Sequence, residues 1–172
     1  MTIRAAILLL AFTLFAQPAT SVWSPLKFLE GSWQGTGKGK PGVSSMERTY
    51  EFVLNGKFLS ARNKSVYAPQ AANPKGEIHE DRGMISFDRA RKRFVFRQFH
   101  VEGFVNTYAA EPIEEGKPLV FVSEAIENIP PGWRARETYT ILSADEFTET
   151  FELAEPGKDF EVYSEARLKR KK

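Results

Sequence analysis

The chain has no cysteine among its 172 residues, which removes disulfides, thiolate zinc sites, iron–sulfur clusters and cysteine nucleophiles in one step. Histidine is almost as scarce. Two residues cannot build an all-imidazole metal centre, so no metal site is expected. An excess of one charge is lacking too: 24 Lys and Arg stand against 22 Asp and Glu, a net charge of +2. Nucleic-acid binding draws on a basic excess that this chain does not have, and no such partner is expected. Nor is there a Gly-x-Ser-x-Gly, a phosphate loop or a Ser placed near a plausible His and acid. No catalytic residues are assigned, and a binding protein is expected rather than an enzyme.

Long apolar runs are also missing. The longest, at 5–16, is broken by Thr13 and falls short of the roughly 20 residues that a spanning helix needs. Met1 and Arg4 before it, and Gln17-Pro18-Ala19-Thr20-Ser21 after it, give it the anatomy of a secretory signal peptide. Cleavage after Ser21, with Ala19 as the alternative, leaves residues 22–172 as a single domain without a membrane segment, working in the periplasm or outside the cell.

What is plentiful is Phe, 14 residues within an aromatic share of 13%, a composition that favours strands around a bulky interior. From Gly31 onward apolar residues recur with period two between turn signals, the signature of an antiparallel barrel or sandwich. An all-β, ten-stranded antiparallel up-and-down barrel is predicted, with strands at 31–40, 44–54, 57–67, 82–88, 92–101, 104–110, 118–126, 133–142, 146–154 and 160–169. Asn55-Gly56 and Glu102-Gly103 are hairpin turns in this reading, since a type I′ turn needs positive φ at both central residues. Ser24 before Pro25, with Gly31 beyond, predicts a short helical turn that plugs the barrel base with Leu26 and Leu29.

The first strand puts Trp33, Gly35, Gly37 and Gly39 on one parity and polar residues on the other. Glycine weakens a strand interior, so the run marks either room beside Trp33 for a ligand or a strand that must bend sharply. The Gly-x-Trp resembles the lipocalin and fatty-acid-binding (calycin) superfamily, in which that Trp packs at the barrel base against a basic residue. The fuller run through Pro41, then Tyr50 to Phe52 and Gly56-Lys57-Phe58-Leu59, is similar to the nitrobindin-like haem-binding β-barrels. The resemblance covers most of the domain, most strongly from Leu26 to Leu59, and it implies a ten-stranded barrel with a haem site. By this resemblance His79 matches the family's distal-side His, and Tyr163 stands where the proximal His is expected, ahead of Ala166 and Leu168. Tyr can hold haem iron when a basic neighbour ionises it. Because the last strand has no His, no cofactor is the first expectation and haem the alternative.

Two-residue pairing across Glu102-Gly103 places Arg97 and Phe99 on one face with Asn106 and Tyr108. Glu149 shares its parity with Phe147, Phe151 and Leu153, so it should face inward, and a buried carboxylate needs a partner. Arg97 is expected to supply it. The ligand-binding candidates are therefore Trp33, Gly35, Gly37, His79, Arg97, Phe99, Asn106, Tyr108 and Glu149, a polar anchor on an apolar wall. The structural alternative for the charged residues is an ion pair that only holds the barrel together. His100 and Trp133 are expected at the core or rim, and Arg167 or Arg170 over Trp33 as a cation–π clasp. The function expected is an exported barrel that holds a small hydrophobic or amphipathic molecule. The alternatives are a nitrobindin-like haem protein and a structural envelope barrel with a filled interior.

Overall fold

In the computed structural model, which describes residues 21–172, ten antiparallel strands close into a barrel. They are β1 (Gly31–Gly39), β2 (Gly42–Val53), β3 (Phe58–Tyr67), β4 (Glu77–Asp88), β5 (Arg93–His100), β6 (Val105–Ala110), β7 (Leu119–Glu127), β8 (Arg134–Ser143), β9 (Glu146–Ala154) and β10 (Glu161–Arg170). Each pairs with its sequence neighbours, and β1 closes on β10, so no strand is left with an open edge. The expected leader, all but Ser21, lies outside the described residues.

A 3-10 helix, Ser24–Leu29, seals one end and buries Leu26 and Leu29. Trp33 is fully buried above it and donates Nε1–H to the Leu29 carbonyl at 2.7 Å. The Arg170 guanidinium lies 4.1 Å from the Trp33 ring and donates to the carbonyls of Glu30 and Phe28 at 2.6 and 2.9 Å. One side chain thus satisfies the last orphan carbonyls of the helix and covers the indole face. Phe147, Tyr139, Phe121 and Phe96 continue the packing upward as a chain of tilted and edge-on rings. The base half of the barrel is therefore solid, which gives the remaining half a floor.

The glycines of β1 serve strand approach rather than a vacancy. A Cβ on Gly35 would sit 1.9 Å from the Arg167 carbonyl oxygen, and one on Gly37 would meet the Met46 thioether, 2.3 Å from Cε. Gly35 lets the β10 backbone close in and Gly37 makes room for Met46, so neither leaves a vacancy beside Trp33.

Two differences from the expected strands bear on the site. β4 begins at Glu77 rather than at 82; of its first five residues only Ile78 is apolar, and it is exposed, so no apolar rhythm marks the start. The β5–β6 hairpin closes through His100 and Phe104, around Val101, Glu102 and Gly103, with Gly103 at φ 91°. The loop holds three residues, not two, and Gly fits its left-handed position. Gln98 therefore pairs with Asn106 and Phe96 with Tyr108, while Arg97 pairs with Thr107 and Phe99 with Val105. A one-residue slip moves every side chain to the opposite face, so Arg97 and Phe99 point outward and Phe99 is 52% exposed.

Candidate functional site

At the end of the barrel away from the 3-10 helix opens a cavity of about 600 Å³, within the size range of small-molecule pockets. β2, β8 and β9 supply its deepest charged groups. Arg48 alternates inward with Met46 and Tyr50, and its side chain crosses β1 and β10 to reach Glu149. On the intervening strands small residues stand level with Glu149: Ala166 pairs with it and Gly37 with Ala166. The contact is bidentate, 2.9 Å from Nη2 to Oε1 and 3.2 Å from Nε to Oε2, between side chains only 5% and 13% exposed. Nη1 donates further to the carbonyls of Glu47 and Lys64. Burial opposes the charge on Arg48, but the attraction and hydrogen bonds of Glu149 outweigh it and hold the guanidinium pKa above its ordinary value.

Glu137 points inward between Ala135 and Tyr139, and the Tyr139 hydroxyl donates to its Oε2 at 2.6 Å. Burial first, and then the negative charge of Glu149, push the Glu137 carboxyl up to about 8. At neutral pH it is mostly the protonated acid, able to donate a hydrogen bond beside the Arg48–Glu149 ion pair. Asp81 on β4 accepts from Asn63 Nδ2 at 2.8 Å and Gln98 Nε2 at 2.9 Å, both on Oδ1. Its carboxyl is also raised, chiefly by burial.

A third cluster links floor to mouth. Asn106 Nδ2 lies 2.7 Å from the Tyr108 hydroxyl and 3.2 Å from His100 Nε2. The His100 ring stacks on Phe104, centroids 4.0 Å apart, and burial and the neighbouring His79 push it down to about 4, so it is a neutral imidazole at physiological pH. His79 Nδ1 is 2.7 Å from Glu102 Oε1. Tyr163 faces the cavity from a bulge in β10, unpaired between Val162 and Ser164, which re-aims its ring. Burial, Tyr67, Glu77 and Glu102 all raise its phenol pKa.

Asn63 Oδ1, Gln98 Oε1, Asn106 Oδ1 and His100 Nδ1 are buried without a hydrogen-bond partner. Whichever way each amide is turned, one of its polar atoms stays unsatisfied, and all four residues belong to the cavity lining. Phe104, Ile126, Ile129, Pro130 and Trp133 add apolar surface to the same lining, with Phe104 stacked on His100 and Ile126 paired with Asn106.

Of the residues predicted for the site, His79, Asn106, Glu149 and Tyr163 line the cavity. Tyr108 is buried beneath it, holding Asn106. Trp33 belongs to the base, Gly35 and Gly37 to the strand contacts, and Arg97 and Phe99 to the outer surface. The expected Arg97–Glu149 pair is not made, since Arg97 lies near Ser86 on the exterior and Arg48 holds Glu149. Arg48, Asp81, Gln98 and Glu137 escaped the sequence reading. Their signal was period two: each alternates with buried residues, as Glu137 does with Ala135 and Tyr139.

No match was found among curated proteins. Among solved structures, the crystal structure of Rv2717c from M. tuberculosis is similar with a TM-score of 0.69 at 19% identity, covering 90% of this chain and 100% of that one. A de novo designed fluorescence-activating beta barrel is similar with a TM-score of 0.45 at 13% identity, over 84% and 95% of the two chains. The first comparison shows the fold. A family model described as "THAP4-like, heme-binding beta-barrel domain" matches residues 22–170, which take in all ten strands. The chain therefore belongs to the THAP4-like, heme-binding beta-barrel domain family.

Proposed function

We propose that this barrel is a carrier of a small amphipathic molecule, held in the interior cavity with its polar head on the buried amides and its apolar body against the apolar part of the lining. The observation that carries the reading is that one cavity of about 600 Å³ combines apolar surface with unsatisfied amide groups. A ligand with hydroxyl or amine groups would meet Asn63, Gln98 and Asn106, and the neutral Glu137 would donate in return. Acidic groups outnumber basic ones around the cavity: Glu77, Asp81, Glu102 and Glu149 face it, against Arg48. The field therefore favours a neutral or cationic head over an anionic one. Titrating the protein with neutral, cationic and anionic amphiphiles of equal chain length, read by Trp133 fluorescence against a Trp133→Phe control, tests this. Saturable one-to-one binding in that order of preference supports the reading; no saturable binding of any probe overturns it.

The family name supports haem as a second reading. The residues present do not match the single axial His on the last strand that the sequence resemblance implies. His79 and His100, the chain's two histidines, sit side by side at the mouth with ring centroids 5.5 Å apart, and Tyr163 on β10 is held as a phenol, whereas iron ligation needs the phenolate. The family relation supports ligand binding in the barrel, and the donor set argues against haem as the resident ligand.

We also infer export, from the short apolar run at 5–16 and the small residues behind it. N-terminal sequencing of protein recovered from its native host should begin at Val22; protein that still begins at Met1 contradicts this.

A further inference from the structure

We propose that His79, His100 and Glu102 form a site for one divalent transition-metal cation at the mouth of the cavity. The three come from β4, the end of β5 and the loop after it, and one ligating atom of each lies within 4.8 Å of the others. Two imidazoles and a carboxylate are a donor set for zinc and its neighbours in the first transition row. Metal–ligand bonds of about 2.0–2.2 Å set tetrahedral donor atoms roughly 3.4 Å apart, so the His79 Nδ1–Glu102 Oε1 contact of 2.7 Å opens slightly while the His100 nitrogen draws in, a change within reach of side-chain rotation.

The groups around the cluster are those that orient metal ligands. Histidines that bind metal generally give their other N–H to a carboxylate or carbonyl. His79 Nε2 faces Asp81 Oδ2 at 3.8 Å, the carboxylate oxygen that Asn63 and Gln98 leave free, while His79 Nδ1 faces Glu102. His100 Nε2 faces Asn106, whose Oδ1 and the His100 Nδ1 are both buried without partners. Turning the Asn106 amide over lets its oxygen accept from His100 Nε2–H and from the Tyr108 hydroxyl together. His100 Nδ1 is then a lone pair, fixed in direction by the Phe104 ring stacked on it. Three protein ligands leave at least one coordination position for water or for a donor atom of a molecule in the cavity. The site differs from a haem site because all its donors stand on one side of the mouth.

The test is zinc and cobalt(II) titration of the untagged protein after chelator treatment and removal of any carried small molecule, followed by calorimetry and by the visible spectrum of the cobalt form. One equivalent should bind, with cobalt bands of four- or five-coordinate intensity. Glu102→Gln, on an exposed loop where it does not threaten folding, and the pair His79→Gln with His100→Gln should abolish that binding. Asn106→Ser, acting through the orientation of His100, should weaken it about 10–100-fold. Absence of stoichiometric binding, or binding of unchanged affinity in Glu102→Gln and in the double histidine variant, overturns the site. Amphiphile binding is measured separately in metal-free protein, so its survival or loss does not decide this result.

Discussion

Arg48 and Glu149 are the residues on which the interior turns. Removing one partner of a buried ion pair leaves an uncompensated charge and typically costs about 3–5 kcal/mol, so Arg48→Met and Glu149→Gln should each destabilise by that order. The double variant should recover part of the loss, and a denaturation cycle should return a clear coupling energy. Arg97→Met, on the outer face, should change stability by no more than about 0.5 kcal/mol and show no coupling to Glu149. Glu137 gives a pH signature. Its folded pKa of about 8 lies above the ordinary 4.5, so between those values the native state holds a proton that the unfolded chain has released, and stability falls as pH rises. His100, lowered from 6.5 to about 4, works in the opposite direction and its contribution is complete above about 6.5. From about 6.5 to 8 the fall therefore belongs to the buried carboxyls, with a slope of up to about 1.4 kcal/mol per pH unit from Glu137. Urea titrations of metal-free protein should show that slope flattened in Glu137→Gln; an unchanged slope would mean that another group titrates there.

At the scale of elements, the sequence announced all ten strands because period two and turn residues are local signals. Asn55 and Gly56 are left-handed, at φ 58° and 71°, as the turn expected of them requires, with Leu54 joining them at φ 52°, and Ser24–Leu29 plugs the base with the two leucines named for it. Register was less legible. Glu102-Gly103 reads as a two-residue turn, yet the hairpin closes one residue wider, and that difference exchanged the inner and outer faces of β5 relative to β6. The inward polar residues were hidden for a related reason: β2 and β4 carry polar side chains on both faces, so alternation says that a face is buried only once the neighbours are known. The glycines of β1 were visible as a feature, but whether they admit a ligand or a strand is decided by how closely β10 approaches. Gly35→Ala should lose stability at or beyond the upper end of the roughly 1–3 kcal/mol of overpacked sites, since its Cβ would strike backbone. Gly157→Ala, with open space around its Cβ and φ of 74°, should cost only the roughly 1–2 kcal/mol of a left-handed residue. Similar losses in thermal unfolding of the two would contradict the close approach of β10.

For the whole molecule, the solid base and hollow mouth make two regions with different duties. The base, with Arg170 over Trp33 and the stacked aromatics above it, carries much of the packing. The hollow half carries buried polar atoms without partners, each of which costs stability until something binds. Haem should bind weakly or not at all; stoichiometric tight uptake with a sharp Soret band, lost in Tyr163→Phe, would replace the amphiphile with haem as the cargo. That the cavity holds a small amphipathic molecule is tested most directly by native mass spectrometry of the protein purified gently from its own host. The folded protein should carry one additional small organic molecule, released on denaturation and reduced in occupancy by substitutions at Asn106 and Glu137. Recovery of the bare polypeptide mass alone, from protein that also fails to bind any amphiphile offered to it, would contradict it.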